Sequence, residues 1–318
     1  MTGMKTYQWM TLLLLGTLTI SLQALEVSED DNSIKILDRT NELLVYHKSE
    51  VLPPKGSDPS YKRSAFIHPL KTPKGAIVTS IHPDDHLHHV GLWHAWVNTS
   101  HGTEKIDFWN LKKKEGTVRY KKTISLNQES DKKGFTVLQE HIAIKEGQEP
   151  ITIIEESFSI GVVKEKNAYF IDYISVQKNV SSLDLKFPAY RYGGPIAYRG
   201  PRDWTNANSQ VLTSENKNRT NGHATRGKWC AFSGPTDRGN ALVAILCHPA
   251  NHDAPQRMRI WPASSHDGAI FFNYVPAQEN SWKLIPNKLN EFRYKIIISD
   301  SKMDKKMIES AWLKYADE

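Results

Sequence analysis

The sequence predicts an all-β protein: one large antiparallel β-sandwich with a C-terminal helix. Three observations carry that expectation. Residues 117–127, 134–145, 151–162 and 169–178 alternate apolar and polar side chains and end in Gly-, Asn- or Lys-rich turns, as hairpin strands do. These runs follow one another closely with no helical period between them, which favours antiparallel pairing over parallel βαβ units. The one convincing helical period is terminal. There Met303, Met307, Ile308, Ala311, Trp312 and Tyr315 form an apolar stripe, with Ser301 and Asp304 as N-cap candidates.

The chain begins with a leader. Lys5 is basic, residues 9–20 are apolar, and Ser-Leu-Gln-Ala ends at Ala24. The apolar run is short for a membrane span of ~20 residues, so residues 1–24 read as a cleaved signal peptide. Residues 25–318 are then a single β-sandwich domain, periplasmic or secreted, with no stable membrane span after processing. Its elements follow in order. Residues 34–39 and 43–47 form a first hairpin, and a loop rich in Pro and Gly leads to strands at 65–69 and 76–81. After a histidine-rich stretch come residues 106–109 and the four long strands. Residues 190–208 read as a polar and aromatic loop. Residues 240–247 are continuously apolar, as in a central strand buried on both faces. Residues 257–261, 269–274 and 292–299 complete the strands.

Composition narrows the function. The 318 residues are 39% hydrophobic and 24% charged, ordinary for a globular protein. Net charge is +6, but the lysines are dispersed and no nucleic-acid module is present. No nucleic-acid partner is expected, and the charge reads as solubility or attraction to acidic ligands. The two cysteines, Cys230 and Cys247, flank a turn signal at 233–240 and are either a disulfide or two buried thiols. No G-x-S-x-G elbow, Walker loop or dinucleotide fingerprint appears, and no cofactor is expected.

Chemistry concentrates in residues 81–96, which hold five of the 13 histidines. If Asp85–His89 is extended, Asp85 and His89 face one way and His86 and His88 the other. Such imidazoles suit a metal site completed by His94 or Asp107, a metal-free acid–base or ligand-orienting site, or a surface loop with turn-capping histidines. A second constellation runs from Tyr190 to Gly200, where Arg199 and Arg191 could grip a carboxylate or several hydroxyls while tyrosines stack on a sugar ring. A third, His248-Pro249-Ala250-Asn251-His252, closes the apolar strand. Of Glu155 and Glu156, the one facing inward would have a raised pKa suited to acid–base work.

Six ordered motifs carry a resemblance. They are His68-Pro69-Leu70-Lys71-Thr72-Pro73-x-Gly75, Asp85-His86-x-His88-His89-x-Gly91-Leu92-Trp93, Asp107-Phe108-Trp109, Tyr192-Gly193-Gly194 with Tyr198-Arg199, Trp229 with Ser233-Gly234, and His248-Pro249-x-Asn251. Together they resemble the bacterial PmoA-like family, a domain of unknown function often labelled "methane oxygenase PmoA", over nearly the whole mature chain. One departure is Val90, where the family pattern leads one to expect arginine. The label is not literal, because a mean hydropathy of -0.52 excludes a multi-span membrane subunit. The resemblance implies a galactose mutarotase-like supersandwich and an exported carbohydrate-active protein that binds a small carbohydrate or glycoside. On that reading His88 and His89 do acid–base work (hydrolysis, elimination or epimerisation), oriented by Asp85 or Asp107. His86, Arg199, Tyr198, His248 and Asn251 hold the substrate, and Trp93 or Trp109 stacks on the ring. A non-catalytic sugar-binding protein and a metal-dependent enzyme are the alternatives, and no metal ligand is assigned.

The leader generates a first prediction. N-terminal sequencing of exported protein should read from Leu25; a chain retained in the membrane fraction and still starting at Met1 would contradict it.

Overall fold

The alternating stretches fold as strands. The computed structural model describes residue 2 and residues 25–128 and 131–318. Apart from residue 2, the expected signal peptide lies outside the described residues. In chain order the strands are β1 (Leu25–Glu29), β2 (Ser33–Asp38), β3 (Asn41–His47), β4 (Phe66–Leu70), β5 (Leu92–Ala95), β6 (Thr99–His101) and β7 (Glu104–Ile106). Then come the long hairpins β8 (Gly116–Asn127), β9 (Lys133–Ala143), β10 (Ile151–Glu165) and β11 (Ala168–Asn179). They are followed by β12 (Leu185–Phe187), β13 (Gly194–Arg199), β14 (Gln210–Thr213), β15 (Trp229–Thr236) and β16 (Gly239–Cys247). The last are β17 (Met258–Ile260), β18 (Phe271–Tyr274), β19 (Trp282–Leu284) and β20 (Leu289–Ser299), before helix α1 (Lys305–Ala316).

Two eight-stranded sheets face each other, ordered β1-β2-β3-β4-β5-β13-β18-β17 and β14-β15-β16-β20-β11-β10-β9-β8, with a smaller sheet β19-β12-β6-β7 beside them. The named strands pair antiparallel. Inward side chains of the two large sheets meet: Tyr274 stacks on Tyr294 at 5.5 Å, and Tyr198 packs on Phe232 at 5.3 Å. Helix α1 covers the outer face of the second sheet, with Ile308 and Tyr315 against Trp229, Leu242, Leu246 and Ile297. That is why the apolar run in β16 needs no polar alternation. No helix among the described residues is long and apolar enough to cross a membrane.

Several expectations are corrected. The supposed loop 190–208 contains β13, whose six residues are all buried. Residues 76–81 form no strand, only isolated bridges at Ile77 and Ile81. Asp304, not Ser301, caps α1, accepting from Met307 N at 3.0 Å. Cys230 and Cys247 are free buried thiols; Cys230 pairs with Ile245, so the register sets the two sulfurs on non-opposed residues.

Polar groups bridge the sheets at one place. Glu156 on β10 is fully buried and accepts from His94 Nε2 of β5 at 2.6 Å, His141 Nε2 of β9 at 2.8 Å and Ser175 Oγ of β11 at 2.6 Å. Tyr173 gives its hydroxyl proton to Pro195 O, so His94 Nδ1, 2.9 Å from that hydroxyl, donates to it. His94 thus bridges Glu156 and Tyr173 with its two ring nitrogens. Arg63, also buried, donates to His94 O at 2.6 Å. The inward carboxylate anticipated at 155/156 is thus Glu156, but its pKa moves the other way. Burial works to raise it, and the two imidazoles outweigh burial and hold it far below the usual range.

Removing one member strands the others in the core. Glu156→Ala should cost ~3–5 kcal/mol in chemical denaturation. Its neighbour Glu155, which meets Lys121 at the surface, should cost no more than about 1 kcal/mol when replaced by Ala. Equal small losses would remove the cluster's structural role.

Candidate functional site

Strand alternation decides what faces outward. Because His94, Tyr198, Phe272 and Tyr274 point into the core, Trp93, Arg199, Phe271, Asn273 and Arg259 lie on the outer face of the first sheet. Residues 81–90 fold over this face as a closed loop. His82 N donates to His89 O at 2.9 Å, Ile81 bridges Val90, and tight turns run from Pro83 to His86 and from His86 to His89. His82 Nδ1 clasps Leu87 O at 2.6 Å, so this histidine holds the loop. Val90, in the expected arginine position, is buried at the loop's neck. Gly91 follows with φ +68, where a Cβ would lie 2.3 Å from Ile67 O; only glycine fits.

The loop delivers His86, His88 and His89 to one cleft, which is also lined by Trp109, Asn110, Arg191, Tyr192, Arg259, Trp261 and Phe271. The three imidazoles pack on one another, with ring centroids 4.7 to 5.4 Å apart. His89 is sandwiched against Phe271 at 4.6 Å and Trp93 at 5.0 Å. The cleft is open to solvent and, at about 100 Å³, is small, so it receives one edge of a ligand. Clefts of about 410 Å³ under α1 and 690 Å³ beside β7 and β9 are larger, but no histidine lines either one.

Two cleft histidines keep buried donor or acceptor atoms without a hydrogen bond, His86 Nδ1 and His89 Nδ1, as do several buried groups elsewhere in the molecule. Burial pushes His86 down to about 4 despite Asp85 nearby, His88 down to about 3, and His89 well below the usual value. All three are neutral near pH 7 and can each offer a lone pair. Burial raises the Tyr192 pKa, so its hydroxyl keeps its proton.

Asp85 sits at the rim. Both of its oxygens accept from Arg199 Nη2, at 2.9 and 2.8 Å. Burial works to raise its pKa, but Arg199 outweighs this and holds it below the usual range. Trp261 is the hub: Arg199 lies over its ring at 4.8 Å, and His86 and His266 pack on it at 4.8 and 4.4 Å. Asp85, His86 and His266 bring three ligand atoms within 4.8 Å of one another, a set able to take a divalent cation only by sharing Asp85 with Arg199. A second such set, His94, His141 and Glu156, is the sealed core cluster.

Several expected site residues lie elsewhere. Asp107 is filled by its own turn, accepting from Trp109 N, Asn110 N, Asn110 Nδ2 and Lys113 Nζ, so it has no free lone pair to orient a histidine. Tyr198 points into the core and donates to Val78 O. Trp93 is buried beneath His89 rather than lining the cleft; Trp109 and Trp261 line it, but they too are almost fully buried and present little ring face for stacking. His248 packs on Tyr315 of α1, and Asn251 holds Arg293 of β20 through two backbone bonds. That corner belongs to the second sheet, so His248 does not join the other histidines. The sequence reading missed Trp261, His266 and Arg259. The one signal for them was an aromatic and a histidine flanking the turn after β17.

Fold and site define a class: an antiparallel β-sandwich protein with a histidine-lined cleft on the outer face of one sheet. The chain belongs to a family of unknown function, DUF6807, whose match spans residues 33–313. A search of curated proteins finds no match. Among solved structures, the chain is similar to the GH36 alpha-galactosidase AgaB of Geobacillus stearothermophilus, with TM-score 0.37, 10% identity and coverage of 87% of this chain and 41% of that one. A polysaccharide lyase matches with TM-score 0.38, 11% identity and coverage of 91% and 34%. An alpha-galactosidase AgaA variant of G. stearothermophilus in complex with raffinose matches with TM-score 0.29, 11% identity and coverage of 87% and 41%. The chain thus spans about two fifths of the alpha-galactosidases and a third of the lyase, and likeness at these scores says nothing of chemistry.

The buried imidazoles set a pH dependence. Unfolded, they take up protons near pH 6.5; folded, they stay neutral down to about 4 or lower. The unfolded state binds more protons in that window, so stability falls as pH drops from 6.5 towards 4. His88→Gln should make the fall shallower in urea denaturation at pH 7, 5.5 and 4; an unchanged slope would refute the burial of His88 as its cause.

Proposed function

We propose that this is a carbohydrate-active protein working outside the cytoplasm, with the outer-face cleft as its sugar site and His88 and His89 as its acid–base groups. One observation carries the reading: His86 and His89, each with a buried Nδ1 that has no hydrogen-bond partner, line one cleft together with His88 and aromatic rings. An unsatisfied buried polar group costs about 1–3 kcal/mol, a cost that a ligand can offset. Neutral imidazole both donates and accepts, as a sugar hydroxyl does. Trp109, Trp261 and Phe271 supply an apolar margin for one edge of a ligand.

The carboxylates favour some reactions over others. Hydrolysis by a carboxylate pair needs two available groups. Here Asp85 is held by Arg199 and Asp107 is consumed by its turn. Elimination or epimerisation needs one base and one acid. Burial leaves His88 a weak base in the free protein, so this reading requires a bound anionic group to raise its pKa, with Tyr192 keeping its proton as the donor. The second reading is sugar binding without turnover, favoured by the cleft's small volume.

The test is a panel of glycosides and oligosaccharides, with products followed by chromatography and binding by tryptophan fluorescence. If the site is catalytic, His89→Ala should abolish turnover, and His88→Ala, at a half-buried position, should do so with unfolding unchanged. If the site only binds, His88→Ala should weaken affinity by about 1–3 kcal/mol. A panel in which no member binds or reacts would end the carbohydrate reading.

A further inference from the structure

Arginines on this surface normally face carboxylates. Arg119 meets Glu140, Arg199 meets Asp85, Arg226 meets Asp253 and Arg257 meets Glu279. Arg191 and Arg259 are different. Both line the histidine cleft, and neither makes an ion pair among the described residues. The Arg191 guanidinium lies over the Tyr192 ring at 5.5 Å, and Arg259 Nη1 meets His223 Nε2 at 3.1 Å. Arg259 is half-buried on β17, so its position is set by the sheet and not by a flexible surface.

The surroundings offer these cations no counter-charge. The acids near the cleft are already engaged: Asp107 with Lys113 and the turn, Asp85 with Arg199, and Glu279 with Arg257 and Arg226. The neighbouring histidines are neutral, and Tyr192 is protonated. At the mouth of the cleft, burial and then the like charge of the exposed Arg191 both work against the Arg259 cation. A neutral ligand would leave that repulsion in place. An anionic group would remove it, and a guanidinium matches a planar carboxylate with two parallel hydrogen bonds.

We propose that the cleft takes an acidic sugar by the edge that bears its carboxylate or sulfate ester, with that group clamped between Arg191 and Arg259. The Asn110 side-chain amide, 3.1 Å from the Tyr192 hydroxyl, holds that hydroxyl at the same mouth. The proposal rests on the sugar reading above and adds the substrate class to it. It does not depend on whether the histidines turn the sugar over.

The test is equilibrium binding followed by tryptophan fluorescence, with methyl glucuronide, a sulfated methyl glucoside and methyl glucoside as probes. At least one acidic probe should bind about tenfold or more tightly than methyl glucoside, as one charge-assisted hydrogen bond implies, and should weaken with added salt. Arg191→Gln and Arg259→Gln should each collapse the acidic-to-neutral affinity ratio. Arg238→Gln, on an exposed turn, should leave the ratio intact. Preference for the glucuronide identifies a uronate, and preference for the sulfated probe identifies a sulfate ester; either supports the clamp. Equal affinity for charged and neutral probes, or a ratio unmoved in both arginine variants, overturns it while leaving the sugar reading standing. Failure of all three probes to bind overturns both.

Discussion

The structure depends on the ionic cluster at Glu156. It ties β5 of one sheet to β9, β10 and β11 of the other, inside a core otherwise filled by aromatic and aliphatic side chains. Buried ion pairs add little net stability over a well-packed apolar core, but they penalise every arrangement that separates the partners. Here the penalty falls on register. With His94 locked inward, Trp93 must point outward, because successive strand residues face opposite sides. A slip of one residue would bring Trp93 into the core and separate His94 from Glu156. The floor beneath His89 is therefore set from inside the sandwich.

The cleft uses the opposite arrangement. In the core cluster the Glu156 carboxylate meets three donors, while in the cleft His86 Nδ1 and His89 Nδ1 are buried without a hydrogen bond. Burial by Trp93, Trp261 and Phe271 keeps the imidazoles neutral, and the closed neck of the loop prevents them from swinging into water. Trp261 gathers Arg199, His86 and His266 around one ring, so the charged rim and the neutral interior share a support. Such preorganised, underused groups are where function is expected in a rigid β scaffold.

Much of this was legible in the chain. Period-2 alternation located the long hairpins, because a half-buried strand writes its two faces directly into sequence. The terminal helix was legible for the same reason at a different period. Asp85, His86, His88 and His89 stood out because few cores accept that density of polar groups. What misled was the neighbourhood of each residue. Asp107 looked available, yet a turn of its own sequence fills it. Tyr198 and Arg199 look equivalent in sequence, yet strand alternation sends one into the core and the other towards Asp85. The strand β13 went unread because Gly194 and Pro195 resemble a loop, while burial among neighbours made it a strand.

The sequence by itself determined the fold class, the terminal helix and the histidine-rich segment, since each follows from local periodicity and composition. The tertiary structure alone decided which groups share a cleft. It joined Arg199, Arg259, Trp261 and His266 to the histidine loop, because β5, β13, β18 and β17 lie side by side in one sheet. It also sent His248 to the second sheet and paired Glu156 with His94 and His141. Strand order and register are long-range choices, settled by which inward faces pack and which buried charges find partners. No single stretch of chain contains that information.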